Sequence, residues 1–364
     1  MTDLPGTTGS EVDAIGVGGQ PQTQVAAGVR VFVHAPARRG YVATVIAPIA
    51  SSLAADFAAS GIHLSTGWRF GPHFDVRAEA SPVRPIDWDG VAQALSAGAA
   101  LFPPSTPIEE AEYLRSAAML GQIEEIPPPY LPRLPHGHTE FLPARHGTLD
   151  SLRAIGLSHL REPLTQAAQA GSDGAALAQV AEAFVALADT HPHGIRFGTF
   201  SFRSHAEAFF HWAGTTADYR SSFDNRMGKD RAVLEELVRR ARDGGQSAQA
   251  DAWRTAFNCC QADFAGRVSD QDLERNAPTT RRNENQSEFH AAVNASGVID
   301  QPPSWFAAYR LTINLFYEVL PALDVSPIRR FYLCHAIAQS VDTVFGETWQ
   351  SRLDAVASLM AVSP

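Results

Sequence analysis

Three cysteines in 364 residues, Cys259, Cys260 and Cys334, are too few for a disulfide framework and lack zinc-ligand spacing. Positive charge is also short. With 29 Lys and Arg against 39 Asp and Glu, the net charge of -10 argues against a general nucleic-acid or membrane-surface binder. No stretch approaches the ~18 to 20 consecutive apolar residues of a membrane span. The N-terminus, Met1 to Ala27, has neither the basic start nor the apolar centre of a secretory signal. Its Gly, Thr and Gln content predicts a disordered tail through residue 28. No Gly-x-Ser-x-Gly elbow is present, so Ser-His-acid hydrolysis has no support. Gly16-Val17-Gly18-Gly19 lacks the strand-to-helix unit of a phosphate cradle. No internal repeat occurs. The expected compartment is the cytoplasm, with reduced, buried thiols.

What is present reads as an ordinary globular chain, 45% apolar and 19% charged, long enough for one large domain or two closely joined ones. Val29–His34 is a β-branched strand candidate, and Gly40–Ala59 follows with Val45, Ile46, Ile49, Leu53, Ala54 and Phe57 at helical spacing, ended by Gly61. A strand over Trp68–Arg77 completes a β-α-β order whose strand direction stays open. Helices are expected over Ile86–Leu101, Ile108–Gly121, Leu149–Ala170, Gly174–Thr190, Ser204–Ala213, Lys229–Ala241, Ala248–Ala262, Ser304–Leu320 and Ser326–Phe345. The fold class is therefore α+β, with an antiparallel or mixed sheet, flanking helices and a helix-rich C-terminal half. Pro127–Pro135 is a stiff segment, either a hinge or a surface strap, which divides a sheet region at 29–126 from a mostly helical region at 127–364. Between Gly266 and Pro303 the chain turns polar, and a connection that long suits a lid.

Several groups carry chemistry. On the Trp68–Arg77 strand, period two puts His73, Asp75 and Arg77 on one face and Phe74 and Val76 on the other. The polar face is either a solvated surface or a site. His136-Gly137-His138-Thr139-Glu140 and His191-Pro192-His193 have no further ligands at a recognised spacing, so no metal is assigned. Ser204-His205-Ala206-Glu207 reads as a capping box, with Ser204 as N-cap and Glu207 three residues on. His205, then exposed at the first helical position, is alternatively a neutral base beside the helix N-terminus. Tyr309 and Tyr317 lie on roughly one helix face, either as packing residues or as neutral proton donors.

From Val29 through Arg77 the chain resembles the thiopeptide-type bacteriocin biosynthesis domain, which also supplies the glutamate-elimination domain of class I lanthipeptide dehydratases. Trp68-Arg69-Phe70 and Pro72-His73-Phe74-Asp75-Val76-Arg77 stand where that family has an aromatic-Arg-aromatic strand leading into Pro-His-x-Arg-x-Arg. A looser resemblance extends over residues 29–360. Asp75 occupies a place where eliminating members keep arginine, and Cys334–Asp342 matches their C-terminal His/Asn/Arg cluster poorly. A stand-alone, diverged member resembles the thiopeptide pyridine synthases, and Ser201-Phe202-Arg203-Ser204-His205 looks like that subgroup. The resemblance implies a formal (4+2) aza-cycloaddition of two dehydroalanines, followed by dehydration and leader-peptide expulsion, with no metal or organic cofactor. It implies a leader-bearing, dehydrated, azole-containing precursor peptide as partner, and no nucleic acid or membrane. Ser204, His205, Tyr309 and Tyr317 are then the expected catalytic groups, with Arg69, His73, Arg77 and Glu207 lining the peptide. The alternatives are a glutamate-eliminating lyase and a non-catalytic precursor-binding partner.

Overall fold

The computed structural model describes residues 24–34, 38–104, 109–124, 126–213, 218–269, 287–297 and 303–362. Its sheet is antiparallel, ordered β3-β4-β2-β5, from β2 (Ala27–Phe32), β3 (Ser60–Gly67), β4 (His73–Glu79) and β5 (Thr139–Leu142). A two-residue strand, β1 (Gln24–Val25), pairs separately with β6 (Arg145–His146). Strand structure thus begins within the expected tail, whose residues 1–23 lie outside the described ones.

The β-α-β order holds, but β2 and β4 run antiparallel, Val29 opposite Val76 and Val31 opposite Phe74. Between them α1 (Arg38–Tyr41), a π-helical stretch (Val42–Ile46) and α2 (Ala47–Phe57) form one helical run. This run is long and apolar enough, by composition, to cross a membrane. Here Tyr41, Val42, Val45, Ile46 and Leu53 join the core over the sheet, with Tyr41 stacked on Phe74 at 5.7 Å. Burying each such side chain stabilises by about 1.5–3 kcal/mol.

Ala58, at φ 50°, ends the helical run, whereas Gly61 already lies in β3. The strand expected over Trp68–Arg77 is instead a turn through Trp68–Pro72 followed by β4, with Phe70 at φ 64° and Gly71 at φ 120°. β3 precedes that turn; its Ser-Gly-Ile-His-Leu-Ser-Thr-Gly sequence carries little β propensity, and pairing with β4 holds it.

Beyond α3 (Trp88–Ala99) and α4 (Glu110–Glu124), the proline segment is a strap against the turn. Leu134 N–H donates to the Phe70 carbonyl, and the Tyr113 hydroxyl donates to the carbonyls of Trp68 and Tyr130. β5 then returns to the sheet, so the sheet region continues past residue 126.

The C-terminal half comprises α5 (Thr148–Ala168), α6 (Asp173–Asp189), α7 (Ile195–Ala213), α8 (Tyr219–Arg242), α9 (Ala248–Phe264), α10 (Glu288–Ala295), α11 (Ser304–Val319), α12 (Pro327–Phe345) and α13 (Trp349–Val362). α7 buries Phe202, Ala206, Phe209, Phe210 and Ala213, the spacing of one helix face. One apolar cluster joins these helices to the sheet. The lid expected between Gly266 and Pro303 falls mostly on 270–286 and 298–302, outside the described residues; α10 lies between them.

Candidate active site

The polar face of β4 is closed, not open. Asp75 accepts both arms of the Arg30 guanidinium from β2, at 2.7 and 2.9 Å. Arg77 is 5% exposed and donates to the carbonyls of Ala26 and Pro143. His73 is 5% exposed, with Nδ1 at 2.9 Å from the Gly71 carbonyl. Gly67 on β3 makes its room, since a Cβ there would stand 2.2 Å from His73 Nε2. Burial, aided by Arg30, lowers the His73 pKa to about 4. His63 on β3 is held likewise, with Nδ1 on the Gly61 carbonyl and its pKa lowered to about 4 by burial. Buried polar groups must be paired to avoid a desolvation cost, and here backbone carbonyls and one carboxylate do the pairing. Arg69 sits apart on the turn, half-buried, against Phe70 and the Pro129 carbonyl.

α7 is different. It begins at Ile195, so Ser204 is not its N-cap and Ser204–Glu207 is not a capping box. The tertiary neighbours of residues 195–203 continue the helix upstream of a capping signal. Gly198 there is pressed on the end of α6, where a Cβ would stand 2.1 Å from the Ala188 carbonyl oxygen. His205 therefore sits mid-helix, and its neutrality has another cause than a helix N-terminus. Its Nδ1 lies 2.7 Å from the Ser201 carbonyl, the geometry of a donating N–H. Burial first, with Arg330 and Arg310 adding, lowers its pKa to about 4. The ring lies deep in the fold yet keeps part of its surface accessible, and Nε2 has no hydrogen-bond partner among the described residues. It meets the Tyr317 ring edge-on, 5.0 Å between centroids.

The two tyrosines part company with the expectation of free donors. Tyr309 is fully buried, donates to the Gly198 carbonyl at 3.2 Å, and is raised in pKa by burial. Tyr317 is 6% exposed, with its hydroxyl 3.2 Å from Cys334 Sγ, and is also raised. Both hydroxyls stay protonated; only the Tyr317 ring borders His205.

Ser204 has a partner that sequence reasoning passed over. Its Oγ lies 2.9 Å from His290 Nε2 on α10, and His290 Nδ1 lies 2.7 Å from Ser287 Oγ, the cap of that helix. Burial lowers the His290 pKa, leaving a neutral imidazole between two hydroxyls. The Ser287-x-x-His290 spacing was the available signal, hidden in a polar segment read as a connection.

Beside this pair a cavity of about 440 Å³ opens between α7, α8, α10, α12 and the start of α13, walled by Arg203, Glu207, Arg220, Phe289, Asp342 and Trp349. Glu207 grips Arg220 through both oxygens, at 3.0 and 2.6 Å. Asp342 takes Arg203 at 2.5 Å and also Arg352, which donates to the Arg196 carbonyl. The Arg203-to-Glu207 spacing of four residues put both on one helix face in the sequence; their partners, far along the chain, were not legible. The structure thus brings Ser204, His205, Tyr317 and Glu207 to one helix neighbourhood, keeps Tyr309 in the core behind it, and leaves Arg69, His73 and Arg77 at the sheet. Among the described residues no group of three or more metal-ligating side chains is gathered.

No protein-family model matches the sequence, and no curated protein matches it. Among solved structures, the pyridine synthase TbtD from thiomuracin biosynthesis matches with a TM-score of 0.69 at 21% identity, over 88% of this chain and 99% of that one. The crystal structure of TsrL matches with a TM-score of 0.59 at 16% identity, over 92% and 99%. The chain has the fold of a thiopeptide pyridine synthase along nearly its whole length.

Proposed function

We propose that this protein is a macrocyclising pyridine synthase of thiopeptide biosynthesis. It acts on a leader-bearing, dehydrated, azole-containing precursor peptide, joins two dehydroalanines in a formal (4+2) cycloaddition, and then removes water and the leader peptide. The observation that carries the reading is the fold match to the thiomuracin pyridine synthase over 99% of that enzyme. Asp75 supports it against glutamate elimination. An eliminating site benefits from positive charge to receive a carboxylate, and Asp75 spends the nearby Arg30 on an internal ion pair.

The chemistry needs little covalent help. One dehydroalanine amide reacts as its iminol, folded across a large ring onto the second. Positioning alone supplies roughly 7–11 kcal/mol in favourable intramolecular cases. His205 Nε2 is a neutral acceptor for the amide N–H. The Ser204–His290–Ser287 chain is a route by which a proton reaches the departing hydroxyl, so that it leaves as water. The charged cavity beside it receives peptide backbone, with Glu207 and Arg220 as acceptor and donor. The reaction is assigned to side chains, without metal or organic cofactor.

Incubation with a dehydrated, azole-bearing precursor, read by mass spectrometry, tests this. Loss of one water together with a released leader carboxamide is the expected result. Loss of a glutamyl adduct without leader release would make the protein a lyase, and binding with no mass change would make it a precursor-binding partner.

A further inference from the structure

Arg330, near the start of α12, is held differently from the other buried arginines of this fold. Arg30, Arg203 and Arg352 each face a carboxylate, Arg77 faces backbone carbonyls, and Arg38, which also lies over a ring with its Nε buried and unpaired, donates to the His73 carbonyl. Arg330 has neither among the described residues. Its guanidinium carbon lies 4.9 Å from the Tyr317 ring centre and 4.6 Å from that of Phe331, and its Nε is buried without a hydrogen-bond partner. Aromatic faces attract a guanidinium by about 0.5–2 kcal/mol. They fix its position, but they neither neutralise the charge nor accept its N–H bonds. The side chain is half-buried, so the cation sits in a partly dried setting with no carboxylate against it among the described residues. Such a group interacts strongly with any oxygen that gains negative charge beside it.

The Tyr317 ring is the reference point for what lies nearby. His205 meets that ring edge-on at 5.0 Å, and Arg330 lies over the same ring. The charge of Arg330 is felt at His205. An imidazole nitrogen and a guanidinium, both without a polar partner among the described residues, thus flank one aromatic platform.

We propose that Arg330 is a catalytic residue that binds the carbonyl oxygen of the dehydroalanine amide whose N–H faces His205, and holds the negative charge that oxygen gains. This rests on the pyridine-synthase reading and names the group that makes its first step feasible. The amide proton passes from nitrogen to His205 Nε2, the N–C π bond forms as the C=O π pair moves onto oxygen, and the imidazolium returns its proton to that oxygen. The net change is one proton moved from N to O, and the enzyme is restored. A weak base such as His205 needs that charge stabilised elsewhere, which a fixed cation does.

The test compares wild type with Arg330→Gln and Arg330→Lys on the dehydrated precursor. Arg330→Gln is expected to lower kcat about 100- to 1,000-fold, the scale of one lost oxyanion donor, while KM stays within about threefold, because the interaction strengthens only as charge develops. Arg330→Lys keeps the charge without the planar fork and is expected to fall between the two. Added guanidinium at low millimolar concentration is expected to restore part of the kcat of Arg330→Ala, which a structural role alone does not produce. Arg330→Gln with kcat near wild type, or with its loss confined to KM, overturns the assignment. Should Arg330→Gln fail to fold by circular dichroism, Arg330→Lys decides it: a kcat equal to wild type overturns the proposal, and a tenfold or greater loss (about 1.4 kcal/mol) supports it. A wild-type protein that leaves the precursor unchanged overturns the pyridine-synthase reading and this step with it. A wild-type protein that cyclises beside an equally active Arg330→Gln removes Arg330 alone.

Discussion

Two polar rows, one on β4 and one on α7, look alike in sequence and differ in what they leave unused. On β4, His73, Asp75 and Arg77 are drawn into internal pairing by Gly71, Arg30, Ala26 and Pro143. On α7, Arg203 is paired inward, but Ser204 is joined to a neutral histidine, Glu207 faces a cavity and His205 keeps a nitrogen without a partner among the described residues. A run of ionisable residues marks a site only where the fold leaves some bonding capacity unspent. The sheet's row therefore stabilises the scaffold, and the helix's row is where substrate chemistry is expected.

The largest effect that separates the two rows is on rate. His205→Gln is expected to lower macrocycle formation about 100- to 10,000-fold with a stability loss of about 0.5–3 kcal/mol, as for other buried substitutions; a variant with near-wild-type turnover by mass spectrometry would break the contrast. Within the helical region, Asp342→Ala leaves Arg203 and Arg352 without their shared carboxylate. Removing one partner of a buried ion pair costs about 3–5 kcal/mol, to be read from chemical denaturation. An unchanged midpoint would show that this network does not hold α7 to α12.

The sheet row also answers to acid. His63 and His73 are buried neutral, with pKa values lowered to about 4 from 6.5. Between those values the unfolded chain binds more protons than the folded one, so stability falls as the pH drops through the window and is unaffected above it. Each group contributes on the order of 3 kcal/mol to that loss. Replacing both by Gln is expected to reduce the slope of stability against pH from 7 to 4, with His34, His191 and His205 keeping a remainder, and a slope equal to wild type would show that His63 and His73 are not its source. The smallest effect is expected at Glu207→Gln. Arg220 is 46% exposed on its side chain, so the stability change stays below about 1 kcal/mol, while KM for the precursor rises if Glu207 binds peptide. No change in either removes the cavity from the substrate path.

Much of the scaffold was legible in the sequence. Helical spacing located the run from α1 through α2, and α3, α5, α6, α9, α11 and α12, to within a few residues, because one face of each is buried and the apolar period records it. β3 was missed because its residues depend on a partner strand for their conformation. The site was legible in residue type at Ser204 and His205 and illegible in environment. The capping-box pattern at 204–207 is local, whereas the packing that carries α7 back to Ile195 is not. Tyr309 and Tyr317 are both buried on α11, yet a carbonyl and a thiol took their hydroxyls.

By itself, then, the sequence determined the α+β class, the alternation that sends Phe74 and Val76 into the core, and a resemblance carried by the strand around His73. Those properties depend on period and composition, which each segment carries alone. Tertiary structure decided which polar groups stay available: Asp75 closed by Arg30, Ser204 joined to His290, Arg330 left over Tyr317 without a counter-ion among the described residues. Hydrogen-bond and charge pairing join residues distant in the chain, so only the folded arrangement fixes which groups are consumed and which remain free to act.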